Sequence, residues 1–181
     1  MAYHGVELQN SITIGKIFSI HYFEYMSNFS FAGESHNFWE FICVDKGEVG
    51  VTRGKSYTIL KKGDLIFHKP NEFHDVKATG GIAPNLVVIS FECNDDAMYF
   101  FNDRLLQIDE TERNLLANII IEARRCFDCR LDDPYLQNMP LKDPDTFGAQ
   151  QMIKLYLEHF LIHLIRRYSN PIVLSKKSSE G

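Results

Sequence analysis

The feature that most constrains this chain is a change of hydrophobic period near residue 92. From Ile12 to Phe91 apolar segments rich in aromatic and β-branched residues are short and separated by turn signals: Lys46-Gly47-Glu48, Arg53-Gly54-Lys55, Lys61-Lys62-Gly63-Asp64, Lys69-Pro70-Asn71 and Thr79-Gly80-Gly81. Such regular punctuation predicts a sheet-built sandwich or barrel. Strands are expected at 12–14, 18–25, 38–45, 48–53, 55–61, 64–68, 74–78 and 85–91.

Beyond Glu92 the spacing becomes helical. Asp109 with Glu112 three places on reads as a capping box, and Leu115, Leu116, Ile119, Ile120, Ala123 and Phe127 then fall on one face. A polar, Pro-containing connection from Asp132 to Asp143 leads to a second amphipathic segment carrying Phe147, Ile153, Tyr156, Leu157, Phe160, Leu161, Leu164, Ile165 and Tyr168, ended by Pro171. That apolar stripe is wider than a single packed face requires. Ile153, Leu157, Leu161 and Leu164 are therefore expected to meet a second copy of the chain, which implies a homodimer. The organisation expected is a β-barrel over 1–94, a helical extension over 95–172 and a linker-like tail over 173–181.

Charge narrows the function. With 24 Asp and Glu against 19 Lys and Arg, the net charge of −5 has the wrong sign for neutralising phosphates. Too few residues follow Pro171 for a helix-turn-helix, so DNA contact is expected only through a segment this chain does not contain. No secretory signal and no membrane-length apolar run is apparent, which gives the expectation of a cytoplasmic protein with no membrane partner. Four cysteines, Cys43, Cys93, Cys126 and Cys129, are too few and too uneven for a disulfide framework. Cys126-x2-Cys129 has no second pair nearby, and His159 with His163 sits at the polar edge of its helix without a zinc-protease glutamate, so neither is assigned a metal.

The chemistry is concentrated in Glu34-Ser-His36-Asn-Phe38-Trp-Glu40 and in the later run from Gly63-Asp64 through Pro70 to His74. In an extended strand His36, Phe38, Glu40 and Ile42 share one face, placing polar groups among apolar ones as a small-ligand pocket does. His36, Phe38, Glu40 and His74 are the candidate ligand-binding residues. His36, Glu40 and His74 could also hold a divalent transition metal or form a hydrogen-bonded cluster, and the residue types do not choose among these roles. Trp39, Phe41, Phe67, Phe73 and Phe91 are candidate stacking surfaces that serve a core equally well. No Ser-His-Asp or Cys-His set is suggested.

At these two motifs the sequence resembles the cupin superfamily, a jelly-roll-like β-barrel fold, with Glu34 standing where that family's first histidine usually sits. Within it, His36-x3-Glu40-Phe-Ile-Cys-Val-x-x-Gly47-Glu48, Tyr57-x-x-Leu60-x-x-Gly63-Asp64-Leu65-Ile66 and Pro70-Asn71-Glu72-x-His74 are similar to the amino-terminal domain of arabinose-regulator-like (AraC-type) transcription regulators. The resemblance implies a mainly β protein with α: a cupin barrel that binds a small effector, often a sugar or related metabolite, followed by two helices that make a dimer. It implies a sensor rather than an enzyme, with no certain cofactor. The rival expectation is a metal-dependent cupin enzyme of oxygenase or isomerase type, with Glu34 as a fourth ligand.

Overall fold

A computed structural model describes residues 1–24 and 30–169. It has β1 (Lys16–Phe23), β2 (Ser30–Glu34), β3 (Trp39–Lys46), β4 (Glu48–Arg53), β5 (Ser56–Lys61), β6 (Asp64–His68), β7 (His74–Lys77) and β8 (Asn85–Glu92). A short 3-10 turn (Asp96–Phe101), β9 (Leu105–Gln107), α1 (Glu110–Cys126) and α2 (Ala149–Ser169) follow. The strands form two sheets, a five-stranded one in the order β1-β8-β3-β6-β9 and a four-stranded one in the order β2-β7-β4-β5. Every pairing is antiparallel.

The five-stranded sheet is buried on both faces, so its strands are largely apolar with only a few polar side chains among them. In β3, Trp39, Phe41 and Cys43 point to the helices, while Ile42 and Val44 point between the sheets. The outer face carries Leu65, Phe67, Val87, Ile89 and Phe91 and is covered by Leu115, Ile119 and Ala123 of α1 and Ile153, Leu157, Phe160 and Leu164 of α2. Phe160 reaches Phe41, ring centroids 5.2 Å apart. Each such large side chain contributes roughly 1.5–3 kcal/mol by leaving water. Between the sheets Phe23, Val49, Val51, Leu60, Ile66, Leu86 and Val88 form a second, smaller core.

The barrel-plus-two-helices expectation holds, and so does the capping box. Asp109 Oδ1 accepts from Glu112 N at 2.9 Å, and Glu112 Oε1 accepts from Asp109 N at 2.9 Å. Gly47 sits at φ +71° with the carbonyls of Ile82 and Ala83 where a Cβ would be, so this turn needs glycine.

Several elements differ from expectation. Residues 12–14 form no strand. They are an extended strap whose amides find side chains instead, Thr13 N donating to Asp95 at 2.7 Å and Ile14 N to Glu158 at 2.9 Å, while Ile12 and Ile14 are buried. Strand β2 was not foreseen, because Ser-Phe-Ala-Gly-Glu has no alternating pattern, and β9 is too short to show one. Phe147 stands fully exposed ahead of α2.

The role expected for Ile153, Leu157, Leu161 and Leu164 is corrected. They are 0–2% exposed within a single chain, packed on the sheet and on α1, and cannot face a second copy in this arrangement. The wide stripe is explained by α2 touching sheet and helix at once. Pro171 and the 173–181 tail lie outside the described residues. Among the described residues no helix is long and apolar enough to cross a membrane.

A cavity with four converging ligand groups

The space between the sheets is filled at one end by the smaller core and open at the other. The open end is a cavity of about 400 Å³. Its wall on the five-stranded sheet includes Ser19, Ser90 and Glu40, part of a polar row that strand register continues behind the cavity to His68. Ser19 on β1 pairs with Ser90 on β8, Ser90 with Glu40 on β3, and Glu40 with His68 on β6. A register shift between Ile17 and Ser19 brings both Phe18 and Ser19 to the cavity. Ser19 and Ser90 hydroxyls share a short hydrogen bond. The opposite side is supplied by Phe31 and Glu34 on β2 and by His74 and Val76 on β7, with His36 and Phe38 entering from the β2–β3 connection.

At the cavity floor one oxygen or nitrogen each from Glu34, His36, Glu40 and His74 lies within 4.8 Å of the others. His74 Nε2 is 3.0 Å from Glu40 Oε2 and 3.7 Å from Glu34 Oε1; His36 Nε2 is 3.6 Å from Glu40 Oε1 and 3.8 Å from Glu34 Oε1. Four ligands about 2.0–2.2 Å from a tetrahedral ion would stand roughly 3.3–3.6 Å from one another. Ring tautomers agree with that use. His36 Nδ1 donates to Phe38 O at 3.1 Å and His74 Nδ1 donates to Glu72 O at 3.0 Å, so each ring turns its Nε2 inward. Both inward nitrogens are buried and make no aligned hydrogen bond, although each lies within ion-pair distance of a carboxylate. Two inward imidazole nitrogens facing two carboxylates can be held together either by a proton or by a cation. The residues therefore fit a divalent metal.

The charges are arranged to match. Burial alone would raise Glu40, but the imidazoles of His36 and His74 against it outweigh burial and hold its carboxyl well below the usual range. Burial would lower His74, yet Glu34 and Glu40 raise it to about 10. His68 lies flat on His74, ring centroids 4.3 Å apart, and burial followed by the charge of His74 pushes it down to about 3. His68 is thus a neutral spacer. Burial likewise lowers His21, on the β1 side of the cavity.

The aromatic wall is not the expected one. Trp39, Phe41, Phe67 and Phe91 are buried on the helix side of the sheet, and Phe73 is on the surface over Gly33. The cavity uses Phe18, Phe23, Phe31 and Phe38. Phe38 is stacked between Phe18 and His36, each centroid 3.9 Å away. Strand parity explains the exchange, since Trp39 and Phe41 alternate with Glu40 and must face away from it. Ser19, His21 and Ser90 were also missed. Their signal was a polar residue at alternate positions of otherwise apolar strands. Pro134 to Gln137, from the connection between the helices, also line the cavity and carried no such signal.

A second polar cluster lies away from the cavity. Glu112, fully buried in α1, receives Arg167 Nε at 2.9 Å and His163 Nδ1 at 2.5 Å, and Arg167 also reaches Asp109 Oδ2 at 3.3 Å. His163 is thus partnered rather than solvated. With a guanidinium already at its centre, this cluster is a staple between helices. The cysteines are free thiols, and Cys43 is pushed up to about 12 by burial.

Residues 19–100 match the family model of the AraC-like ligand binding domain. No curated protein matches the sequence. Solved structures similar to the chain include a cupin 2 conserved barrel domain protein from Rhodopseudomonas palustris, 19% identical over 55% of this chain and 64% of that one, TM-score 0.36. A second is described as a predicted oxalate decarboxylase from Thermotoga maritima, 18% identical over 37% of this chain and 58% of that one, TM-score 0.34. A third is a conserved protein from Streptococcus pyogenes, 11% identical over 36% of this chain and 56% of that one, TM-score 0.34. The chain thus spans little more than half the length of the last two.

Proposed function

We propose, from the premise that residues 19–100 are an AraC-like ligand binding domain, that this protein is the effector-sensing part of a cytoplasmic transcription regulator. The effector is a sugar or related small metabolite, and His36, Phe38, Glu40 and His74 contact it. The observation that carries this reading is the convergence of Glu34, His36, Glu40 and His74 in a cavity whose other walls are mainly phenylalanine and aliphatic side chains, with Ser19, His21 and Ser90 on one side. A few polar groups that fix orientation among apolar walls that exclude water are the features of a small-molecule site. In this reading 1–94 is the sensing barrel and 95–172 the helical extension that couples it to a dimer, with DNA read by a separate segment.

The same four groups would hold a divalent transition metal, which would offer the ligand a positive charge. Binding it requires His74 to give up the proton its carboxylate neighbours retain, so metal affinity rises with pH. Those donors also favour a second reading, a metal-dependent enzyme in the same cavity.

Metal content by plasma mass spectrometry on untagged, chelator-free protein, with a thermal-shift screen of sugars and small acids on the same sample, separates these readings. A metabolite that raises the melting temperature and survives the reaction unchanged supports the sensor. One that is converted, with a stoichiometric metal lost in His74→Ala, supports the enzyme. A cavity that takes neither metabolite nor metal overturns both.

A further inference from the structure

The connection between the helices is folded over the cavity mouth instead of running beside it. Its ends are closed on each other: Asp128 N donates to Pro140 O at 2.7 Å, Lys142 N to Cys126 O at 2.9 Å, and Phe127 pairs with Leu141. The Lys142 ammonium also donates to Arg124 O at 2.6 Å, at the C-terminal end of α1. From this closed base the chain reaches β1. Leu131 is buried, and its carbonyl accepts from Tyr22 N at 3.0 Å, docking the loop on the edge strand that carries Ser19 and His21. Past that point Pro134, Tyr135, Leu136 and Gln137 line the cavity.

Tyr135 is nevertheless 82% exposed, and Pro134 and Leu136 are only half-buried. These apolar groups face the cavity without being covered by it. A ligand that fills the space beneath them removes that surface from water. Backbone hydrogen bonds at the tip are local, Tyr135 N to Asp133 Oδ1 at 2.9 Å and Leu136 N to Asp133 O at 3.3 Å, whereas Leu131 and the base tie the loop to the rest of the domain.

We propose that Pro134, Tyr135, Leu136 and Gln137 form a lid that belongs to the ligand site, and that the loop reports occupancy to the helix pair whose ends it joins. This rests on the cavity being the effector site. The differential contact lies in the tip, covered when the cavity is filled and bare when it is empty, which is the difference a switch requires. The loop's closed base then passes the tip's position to the last turn of α1 and, through residues 143–148, to the start of α2.

The test uses the full chain and N-phenyl-1-naphthylamine, an uncharged fluorescent probe of apolar cavities. Its affinity is measured for the parent protein, for Tyr135→Ser with Leu136→Ser, and for Val76→Phe, which fills part of the cavity. Phe38→Ala is the alternative cavity variant if Val76→Phe does not fold by circular dichroism. Amide exchange of residues 127–142 is followed with and without probe. Binding weakened about fivefold or more in both the lid and the cavity variants, with slower exchange of 127–142 on binding, is the expected result. Weakening in the cavity variant alone, with loop exchange unchanged, overturns the lid while leaving the cavity as the effector site. Affinity indifferent to the cavity variant overturns both, because the probe then binds elsewhere.

Discussion

Glu40 and His74 hold each other ionised, and the pH dependence of the metal-free domain follows from that pair. His74 is raised above its ordinary 6.5, so its contribution to stability is complete below about 6.5 and is lost as pH rises through about 10. Glu40 is depressed, so its contribution is present above 4.5 and is lost as pH falls towards its folded value. Chelator-treated protein should therefore melt at progressively lower temperature from pH 6.5 to 10, and Glu40→Gln should flatten that slope. A parent slope no steeper than the variant's would mean that the pair is not coupled. A saturating divalent ion should reverse the trend in the parent by replacing the proton on His74. These residues were legible in the sequence because His36, Glu40 and His74 fall in two short motifs whose spacing strand parity can interpret. Ser19, His21 and Ser90 interrupt otherwise apolar strands, and those interruptions become informative only when β1, β8 and β3 are known to be neighbours.

At the level of elements, α2 is core. Leu161→Asp puts a carboxylate into a fully buried position with no partner, so it should cost about 4 kcal/mol or more and unfold the domain, read as loss of cooperative melting. A folded Leu161→Asp protein with altered oligomeric state would restore the expectation drawn from the sequence. That expectation failed because hydrophobic width tells how much of a helix is covered, not by what. Helix α1 was better specified, its start fixed by the Asp109–Glu112 box. What the sequence did not disclose is that Glu112 turns its carboxylate to Arg167 and His163, fifty or more residues on. Arg167→Ala should destabilise the domain by about 3 kcal/mol, at the lower end for breaking a buried pair because the guanidinium is one-third exposed. A change under about 1 kcal/mol in urea melts would mark the staple as incidental.

Across the whole molecule, the loop at the cavity mouth and the Glu112 staple sit at opposite ends of the helix pair. The loop joins the end of α1 to the start of α2, whereas the staple ties the start of α1 to the last turn of α2, where Tyr168 also bonds Gln107. A shift imposed at the loop end is thus resisted at the other, and the helices move against a fixed point. Loosening that point with Arg167→Ala should leave the affinity for a cavity probe within about twofold while speeding amide exchange in the last turns of α2. Equal exchange in both proteins would show that the far end is held by packing alone.

The two-faced central sheet has a consequence for how such a domain diversifies. Along β3, Glu40 and Ile42 look into the barrel, while Trp39, Phe41 and Cys43 look at the helices. Because neighbouring residues answer to opposite sides, the inward positions can be rewritten for a new chemical guest while every outward position keeps its partner. A one-residue insertion early in that strand would move every residue beyond it to the opposite face unless a bulge absorbed it. Inheritance along this strand is therefore expected to be permissive to point replacement at alternate sites and far less tolerant of a change in length between Trp39 and Val44, ahead of the register shift it already carries.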